Sequence, residues 1–224
     1  MNYQEIDHRI AQADMRCCGG FHPGPSDDFS ATTKTVLIVG NAGNRKTSNF
    51  WPSFETNRPE NTNPLESWTR DVLTNIARDL KAEVIFPFDG PPYIPILTWA
   101  QKVEPVNPSP FGAFIHPNFG LWHAYRGVLL LDEKIDLPKI KTPPSPCETC
   151  PDQPCLSTCP VGAIKDGDFN VEACVGFLAK PKGQVCMGQG CLARRACPVG
   201  QEHVYEPAQA EFHLQAFLET FGPK

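Results

Sequence analysis

The chain has 224 residues, of which 41% are hydrophobic and 20% are charged, and its formal net charge is −5. This composition is typical of a globular protein, and no run of 18 apolar residues indicates a membrane span. The polar start MNYQEIDHRI lacks the apolar core of a signal peptide, which predicts a cytoplasmic protein. The negative charge argues against nucleic acid as the main partner, since phosphate binding needs a basic surface. We therefore expect neither a membrane nor a nucleic acid as partner.

Strand and helix patterns alternate over the first 140 residues. The run TVLIV at 35–39 is short, apolar and β-branched, which predicts a buried strand. A helix is predicted from Asn63 to Lys81, because Asn63 can cap it and Pro64 suits its first turn. Apolar residues recur along it at spacings of three or four, namely Leu65, Trp68, Val72, Ile76 and Leu80. Further predicted elements are strands at 83–88 and 127–133, a helix after Pro95 and a helix in the tail AQAEFHLQAFLETF.

The segment GNAGNRKT at 40–47 follows a strand and resembles the phosphate-binding loop GxxxxGK[ST]. Arg45 stands where that loop needs its second glycine, and backbone amides must approach phosphate closely there. The residues that follow are not expected to form the helix that the loop requires. The sequence therefore predicts a turn with basic residues at this place.

Cysteine is the residue that this chain uses most unusually. Eight of its ten cysteines fall between positions 147 and 197. A disulfide framework, a zinc site and iron–sulfur clusters are the three explanations to compare. A reducing cytoplasm does not sustain disulfide frameworks, so clustered cysteines favour metal ligands or catalytic thiols.

The eight cysteines form two runs that each end in Cys-Pro, CETCPDQPCLSTCP (147–160) and CMGQGCLARRACP (186–198), with Cys174 between them. In two-cluster bacterial ferredoxins each run supplies three ligands and donates its last cysteine to the other cluster. The pattern predicts one [4Fe–4S] cluster on Cys147, Cys150, Cys155 and Cys197 and a second on Cys159, Cys174, Cys186 and Cys191. A four-cysteine zinc site uses two CxxC pairs, and only the pair at 147–150 is present. Iron–sulfur clusters are therefore favoured over zinc.

Two further cysteines, Cys17 and Cys18, fall outside this pattern. Adjacent cysteines point apart in most backbones and rarely bind one ion. We expect small buried residues or free surface thiols.

The cysteine-rich half resembles the ferredoxin module of epoxyqueuosine reductases and reductive dehalogenases. The resemblance rests on the order CxxC…C…CPxGAI, on the segment ACVGFL, on GC…CP and on the later PAQAEFHLQAFL. In those families the module carries electrons to a cobalamin. The resemblance therefore implies cobalamin as a third cofactor beside the two clusters.

The segment GAFIHPNFGLWHAYRGVLLL (112–131) resembles a block of the cobalamin-processing (CblC-type) decyanase/dealkylase family. In that family the block helps to form the cavity for the corrinoid and a thiol. The resemblance implies a cofactor-binding role for His116, Phe119, Trp122, Tyr125 and Arg126. It also implies that Arg126 contacts a thiol or corrinoid group during catalysis. The alternative is that the aromatic residues belong to an ordinary core and that Arg126 is a surface ion-pair partner.

Asp89, in FDGPP, stands near the place where epoxyqueuosine reductases have a catalytic carboxylic acid. Such an acid could protonate a substrate, provided that burial has raised its pKa. A turn-capping aspartate before Gly-Pro-Pro is the structural alternative. Compared with epoxyqueuosine reductases the chain is short and acidic, so recognition of tRNA is not expected.

Together these patterns predict an α+β protein of two domains. Residues 1–141 would form a corrinoid-binding-like domain on an α/β-layer scaffold, and residues 142–224 a bacterial-type two-[4Fe–4S] ferredoxin domain with a C-terminal helix. Electrons from a donor protein or a small reductant would reach a bound corrinoid, with a thiol as a further ligand. The activity would be that of a corrinoid-dependent oxidoreductase or a cobalamin reductase or dealkylase.

The alternative is a ferredoxin-type electron-transfer protein that has no corrinoid of its own and docks a partner enzyme. Basic residues near the cysteines, Lys180, Lys182, Arg194 and Arg195, could mark such a docking face. The same charges could instead offset the anionic clusters.

Overall fold

A computed structural model describes residues 1–222 and divides the chain into two compact units. The first unit consists of Met1–Ala42, Ser48–Pro105 and His123–Thr142. The second consists of Gly43–Thr47, Val106–Trp122 and the chain from Pro143 onward. The segment 106–122, which the sequence-based division places in the N-terminal domain, therefore belongs to the unit that contains the eight clustered cysteines.

The elements follow one another in mixed α/β order. They are α1 (Tyr3–Ala11), β1 (Arg16–Phe21), β2 (Thr35–Ala42), α2 (Phe50–Thr56), α3 (Pro64–Leu80), β3 (Glu83–Ile85), α4 (Ile96–Ala100), β4 (Asn107–Pro108), β5 (Phe114–Ile115) and β6 (His123–Leu131). After β6 come α5 (Pro154–Ser157), β7 (Ile164–Lys165), β8 (Asp168–Phe169), α6 (Val171–Leu178), α7 (Gln184–Gln189), α8 (Leu192–Arg195) and α9 (Pro207–Phe221). The mixed α/β class is confirmed.

The first unit is built on a four-stranded sheet in the order β1–β2–β6–β3, with antiparallel neighbours throughout. The central strand β2 is buried at every position, which confirms the buried strand that the run TVLIV predicts. Such a strand reads as a continuous apolar run because both of its faces are covered. Helix α1 contributes Ile6 and Ile10 to the core, and both side chains are fully buried.

Two β-bulges lie at the same level of this sheet. Cys18 is the extra residue where β1 pairs with β2, and Arg126 is the extra residue where β6 pairs with β2. Gly40 of β2 lies between them. A Cβ atom there would come within 2.3 Å of the Ala124 carbonyl oxygen and 3.0 Å of Cys18 Sγ, so only glycine fits. Bulges re-aim side chains, and both of these carry a chemically active residue.

The helix predicted at 63–81 is confirmed as α3. Asn63 precedes it without a capping side-chain hydrogen bond, and Lys81 ends it in the left-handed conformation with φ of 54°. Leu73 rather than Val72 is fully buried on its apolar face. The strand predicted at 83–88 is shorter, since β3 ends at Ile85.

The turn predicted at 43–47 is present, but the expectation that no helix follows it is wrong. Helix α2 forms and buries Phe50, Trp51 and Phe54. The ring of Phe50 lies 5.3 Å from Trp68 and the ring of Phe54 lies 5.8 Å from it, centroid to centroid. This aromatic packing supplies the stabilisation that the helix propensity of the segment lacks.

The second unit consists of two short hairpins, β4–β5 and β7–β8, and of helices that are mostly four to eight residues long. Its long helix α9 confirms the predicted C-terminal helix and packs on α6 and α7. The Asn44 side chain donates hydrogen bonds to the carbonyl oxygens of Glu202 (2.9 Å) and Val204 (2.7 Å). These two bonds attach the turn at 43–47 to this unit. Among residues 1–222, none of the helices has the length and apolar character of a membrane-crossing segment.

Candidate metal centre

The first predicted quartet of cysteines converges on one pocket of the second unit. Its lining includes all four thiols, of Cys147, Cys150, Cys155 and Cys197. The pKa of the Cys155 thiol is raised, and burial is the largest cause. The thiols of the other three cysteines raise this pKa further. The remaining lining is largely apolar and includes Phe111, Ile115 and Leu121. A cluster held here would be shielded from water, which is one of the factors that set its potential.

Local structure places each member of this quartet. Cys147 is the second residue of a single 3₁₀ turn (Pro146–Thr149), and its backbone N–H donates to the Ser145 hydroxyl at 3.4 Å. Cys155 lies on α5. Cys197 follows α8 and packs against Ile115 and Leu121. The fourth thiol of this pocket therefore comes from the other cysteine run, which is the arrangement that crossed ligation would require.

The second predicted quartet also comes together in this unit. Burial raises the pKa of the Cys174 thiol to about 11, with further contributions from Cys191, Cys159 and Cys186 in that order. Cys174 is on α6, Cys186 is on α7 and Cys191 immediately precedes α8. A thiol binds a cluster as the thiolate, so a cluster bound at Cys174 would displace the proton of this thiol.

Backbone amides point at several of these sulfur atoms. The N–H of Ala163 donates to Cys159 Sγ at 3.3 Å. Backbone N–H groups also lower the pKa of Cys191, of Cys197 and of Cys186, although burial outweighs them. Such N–H···S bonds stabilise a thiolate ligand and favour the reduced cluster.

The donor chemistry of both quartets fits a [4Fe–4S] cluster, which takes four cysteine thiolates. Among residues 1–222, no group of three or more histidine, cysteine, aspartate or glutamate side chains could hold a single metal ion. A cluster of four irons makes a different geometric demand. A cubane binds each thiolate through a different iron at its own corner, so its four ligands stand further apart than those of one ion.

Three residues of the predicted corrinoid block lie in the second unit. His116 is buried, and its Nδ1 accepts hydrogen bonds from the backbone N–H groups of Asn118 (3.0 Å) and Phe119 (3.2 Å). Trp122 is also buried, with its ring 5.1 Å from Tyr205. These side chains hold the turn and the core of this unit.

The glycine of this turn has a clear structural role. Gly120 has a φ of 55°, and a Cβ atom on it would lie 2.0 Å from the carbonyl oxygen of Val199. Val199 follows Cys197 closely and lines the pocket of the first quartet. Close backbone packing between these two segments therefore needs glycine.

The other two residues of the block, Tyr125 and Arg126, lie on β6 in the first unit. Arg126 Nε donates to Asn41 Oδ1 at 2.7 Å, and its Cζ atom lies 5.4 Å from the centre of the Phe50 ring. Burial raises the pKa of Tyr125, and the nearby Glu104 and Cys18 raise it further.

A buried ion pair, which sequence reasoning missed, lies beside Tyr125. Arg16 of β1 pairs with Glu104, whose side chain is 3% exposed. Cys17 and Cys18 are buried next to this pair. Burial holds the pKa of the Cys18 thiol well above its usual range, although the Arg16 charge opposes the shift. No periodicity or motif marks Glu104 in the segment QKVEPV, so only the fold reveals the pair.

Asp89 forms a bidentate ion pair with Arg70 and is about half exposed. The hydrogen bond from Arg70 is the largest cause that lowers the pKa of Asp89. A role as an acid requires burial to raise the pKa of Asp89. This requirement is not met in this conformation, because the side chain is exposed and its pKa is lowered. The Arg70 guanidinium also lies over the rings of Phe86 (4.5 Å) and Phe88 (5.1 Å).

The four basic residues near the cysteines differ in their surroundings. Lys180 and Lys182 are exposed. Arg195 donates to the Gln189 carbonyl oxygen at 3.1 Å. Arg194 is partly buried and donates to the Leu121 carbonyl oxygen.

Neither a protein-family model nor a curated protein matches the sequence. Solved structures do match. An epoxyqueuosine reductase from Streptococcus thermophilus is 14% identical with a TM-score of 0.52, and the match covers 99% of this chain and 76% of that one. The fold is that of the epoxyqueuosine reductases. A selenomethionine-labelled epoxyqueuosine reductase gives a TM-score of 0.50 at 14% identity, covering 93% of this chain and 69% of that one.

A third match is an epoxyqueuosine reductase from Bacillus subtilis, described with its catalytic aspartate loop swung out of the active site. It has a TM-score of 0.50 and 14% identity, and the match covers 93% of this chain and 70% of that one. The resemblance of residues 112–131 to the CblC-type family is not supported by these comparisons.

The expectation that nucleic acid is not a partner is contradicted. One matching structure, with a TM-score of 0.49 and 14% identity over 93% of this chain and 70% of that one, is an epoxyqueuosine reductase with a tRNA-Tyr epoxyqueuosine-modified stem loop. The expectation rested on net charge. Net charge is a sum over the whole surface and does not exclude a local binding site for phosphate.

Proposed function

We propose that this protein is an iron–sulfur oxidoreductase whose second unit carries two [4Fe–4S] clusters. The observation that carries the proposal is the sorting of eight cysteines into two quartets, each with a ligand from the other cysteine run. When bound, each cluster would accept and pass on one electron. The chain would supply four thiolates for each cluster, N–H groups directed at their sulfur atoms and an apolar surround.

The acceptor that we propose is a corrinoid held by the first unit. Arg126 would orient it or a thiol, because the Asn41 amide and the Phe50 ring hold its guanidinium in place. A planar guanidinium on a bulge suits recognition of a fixed polar group. Asp89 remains the proposed acid, and it would have to leave Arg70 before its pKa could rise enough to protonate a substrate.

The first substrate class to test is an epoxide of a tRNA nucleoside. Its support is the shared fold, because the similar structures are epoxyqueuosine reductases. Reductive opening of an epoxide consumes two electrons and two protons. The two one-electron clusters would supply the electrons, Asp89 one proton and solvent the other. The Asp89→Asn variant should lose turnover with full iron content, whereas the matched variant Asp79→Asn should keep turnover.

A second candidate function is electron transfer to a partner enzyme, without a corrinoid. It is favoured by the internal contacts of residues assigned to the corrinoid. Trp122 packs against Tyr205, and Tyr125 faces Glu104. Side chains engaged in this way have less surface to offer a cofactor.

Anaerobic reconstitution tests the clusters, and titration with cob(II)alamin tests the acceptor. We expect about eight irons per chain, the content of two cubanes, and the EPR signals of reduced [4Fe–4S] clusters. A saturable change to a base-off cob(II)alamin spectrum would support the corrinoid. Full iron content without any spectral change would favour the electron carrier. Protein with about one bound zinc and no iron would overturn both functions.

A further inference from the structure

Arg194 lies in the short stretch of chain that joins the two cysteine quartets. It is three residues from Cys191 of the second quartet and three from Cys197 of the first. Helical hydrogen bonds run through the stretch, from Arg195 N to Cys191 O (3.0 Å) and from Cys197 N to Arg194 O (3.3 Å).

The Arg194 guanidinium is held in one place by three groups. Its Nε and Nη2 atoms both donate to the Leu121 carbonyl oxygen, at 3.2 and 2.5 Å. Its Cζ atom lies 4.3 Å from the centre of the Trp122 ring and 4.8 Å from that of Tyr205. Leu121 itself packs against Cys197. The positive charge is therefore held at Leu121, a residue that packs against Cys197 of the first quartet.

We propose that Arg194 is the fixed positive charge that raises the reduction potential of the cluster on the first quartet. The inference rests on the proposed function, since it requires the clusters to be present. Reduction adds one electron, and thus one negative charge, to a cluster. A nearby cation stabilises that charge, and solvent and salt screen a partly buried cation less than an exposed one.

Contact with two aromatic rings fixes the position of the charge. Arginine stays protonated in proteins and its planar group stacks on aromatic faces. Trp122, which resemblance assigned to a corrinoid site, has this second role in the second unit. Arg195 carries the same charge on the next residue, but its hydrogen bond is to the Gln189 carbonyl at the exposed side of the helix.

The test measures midpoint potentials by anaerobic titration with dithionite, followed by EPR. The variants are R194Q, which removes the charge, R194K, which keeps it, and R195Q as the matched control. We expect a lower potential for the cluster on the first quartet in R194Q, and potentials close to wild type in R194K and R195Q. An R194M variant, which keeps an unbranched side chain against the two rings, should behave like R194Q.

Several outcomes would overturn the proposal. Potentials of R194Q equal to those of the wild type would exclude a role in tuning. Equal shifts in R194Q and R194K would mean that packing, not charge, matters. Loss of iron from R194Q and R194M, with R194K intact, would make Arg194 an assembly residue instead. The iron content of the wild type is measured first, and a wild type without iron–sulfur signals would disprove the proposed function itself.

Discussion

Cys197 packs close to Cys147 in the second unit, although the two residues lie at opposite ends of the cysteine-rich segment. A short loop can wrap three corners of a cubane, while the fourth ligand has to come from another element. Pro198 follows Cys197 directly and directs the chain away from the loop. The pairing of residues distant in sequence is therefore the structural basis of crossed ligation.

Crossed ligation predicts which double cysteine substitutions remove one cluster and which remove both. Cys147→Ser and Cys197→Ser should remove the same cluster, so the single and the double variant should each retain about four irons. Cys197→Ser combined with Cys159→Ser should remove both clusters. Iron analysis and EPR of anaerobically reconstituted protein measure this.

The control is Cys17→Ser, which lies outside both quartets and should retain the iron content of the wild type. If Cys159→Ser and Cys197→Ser together left about four irons, the two cysteines would ligate one cluster and the crossed pattern would be wrong.

Breaking the ion pair between Arg16 and the buried Glu104 should cost more stability than breaking an exposed ion pair. Glu104→Gln leaves the Arg16 cation without its counter-charge and should lower the free energy of unfolding by about 3 kcal/mol. The matched variant Asp79→Asn breaks an ion pair with Arg9 whose two side chains are nearly half exposed. It should cost less than about 1 kcal/mol. Urea denaturation measures both, and equal effects would contradict the structural difference.

Gly40 should not tolerate a side chain. The Ala124 carbonyl oxygen and Cys18 Sγ occupy the space of a Cβ atom, so Gly40→Ala should lower the free energy of unfolding by about 1–3 kcal/mol. Gly176 provides the control, because it lies within α6 and a Cβ atom there would meet nothing within 4 Å. Gly176→Ala should be neutral or stabilise the protein by up to about 1 kcal/mol. A thermal melt that ranks the two variants in the opposite order would refute this packing.

The ion pair between Arg70 and Asp89 predicts a dependence of stability on pH. Because Arg70 lowers the pKa of Asp89 in the folded state, the pair stabilises the protein above the unfolded value of 3.8. The stabilisation is lost as the pH falls through the lower, folded pKa. Both side chains are about half exposed, so the effect should not exceed about 1 kcal/mol.

The measurement compares wild type and Asp89→Asn between neutral and strongly acidic pH. Their difference in unfolding free energy should be constant at neutral pH and vanish below the folded pKa. A difference that grows on acidification would mean that the carboxyl group is protonated in the native state.

The local pattern of apolar residues in the sequence predicts the central strand β2 and the long helix α3. The run TVLIV and the spacing of apolar residues in 63–81 predicted β2 and α3 because burial on a strand or helix leaves a period in the sequence. Helix α2 was missed because tertiary contacts with Trp68, and not a local signal, accompany it. Propensity is overridden by packing in such cases.

The spacing of the cysteines and the two Cys-Pro ends predict two groups of four thiols from the sequence alone. Ligand spacing is local, since a short loop must wrap a cluster of fixed size. Only the tertiary structure decided the surroundings of the remaining charged groups. It paired Arg16 with Glu104 and Arg70 with Asp89, and it placed Arg194 against the rings of Trp122 and Tyr205. These partners are distant in the chain. Coulomb energy depends on the distance between charges in space, and the spacing of residues in the sequence does not give that distance.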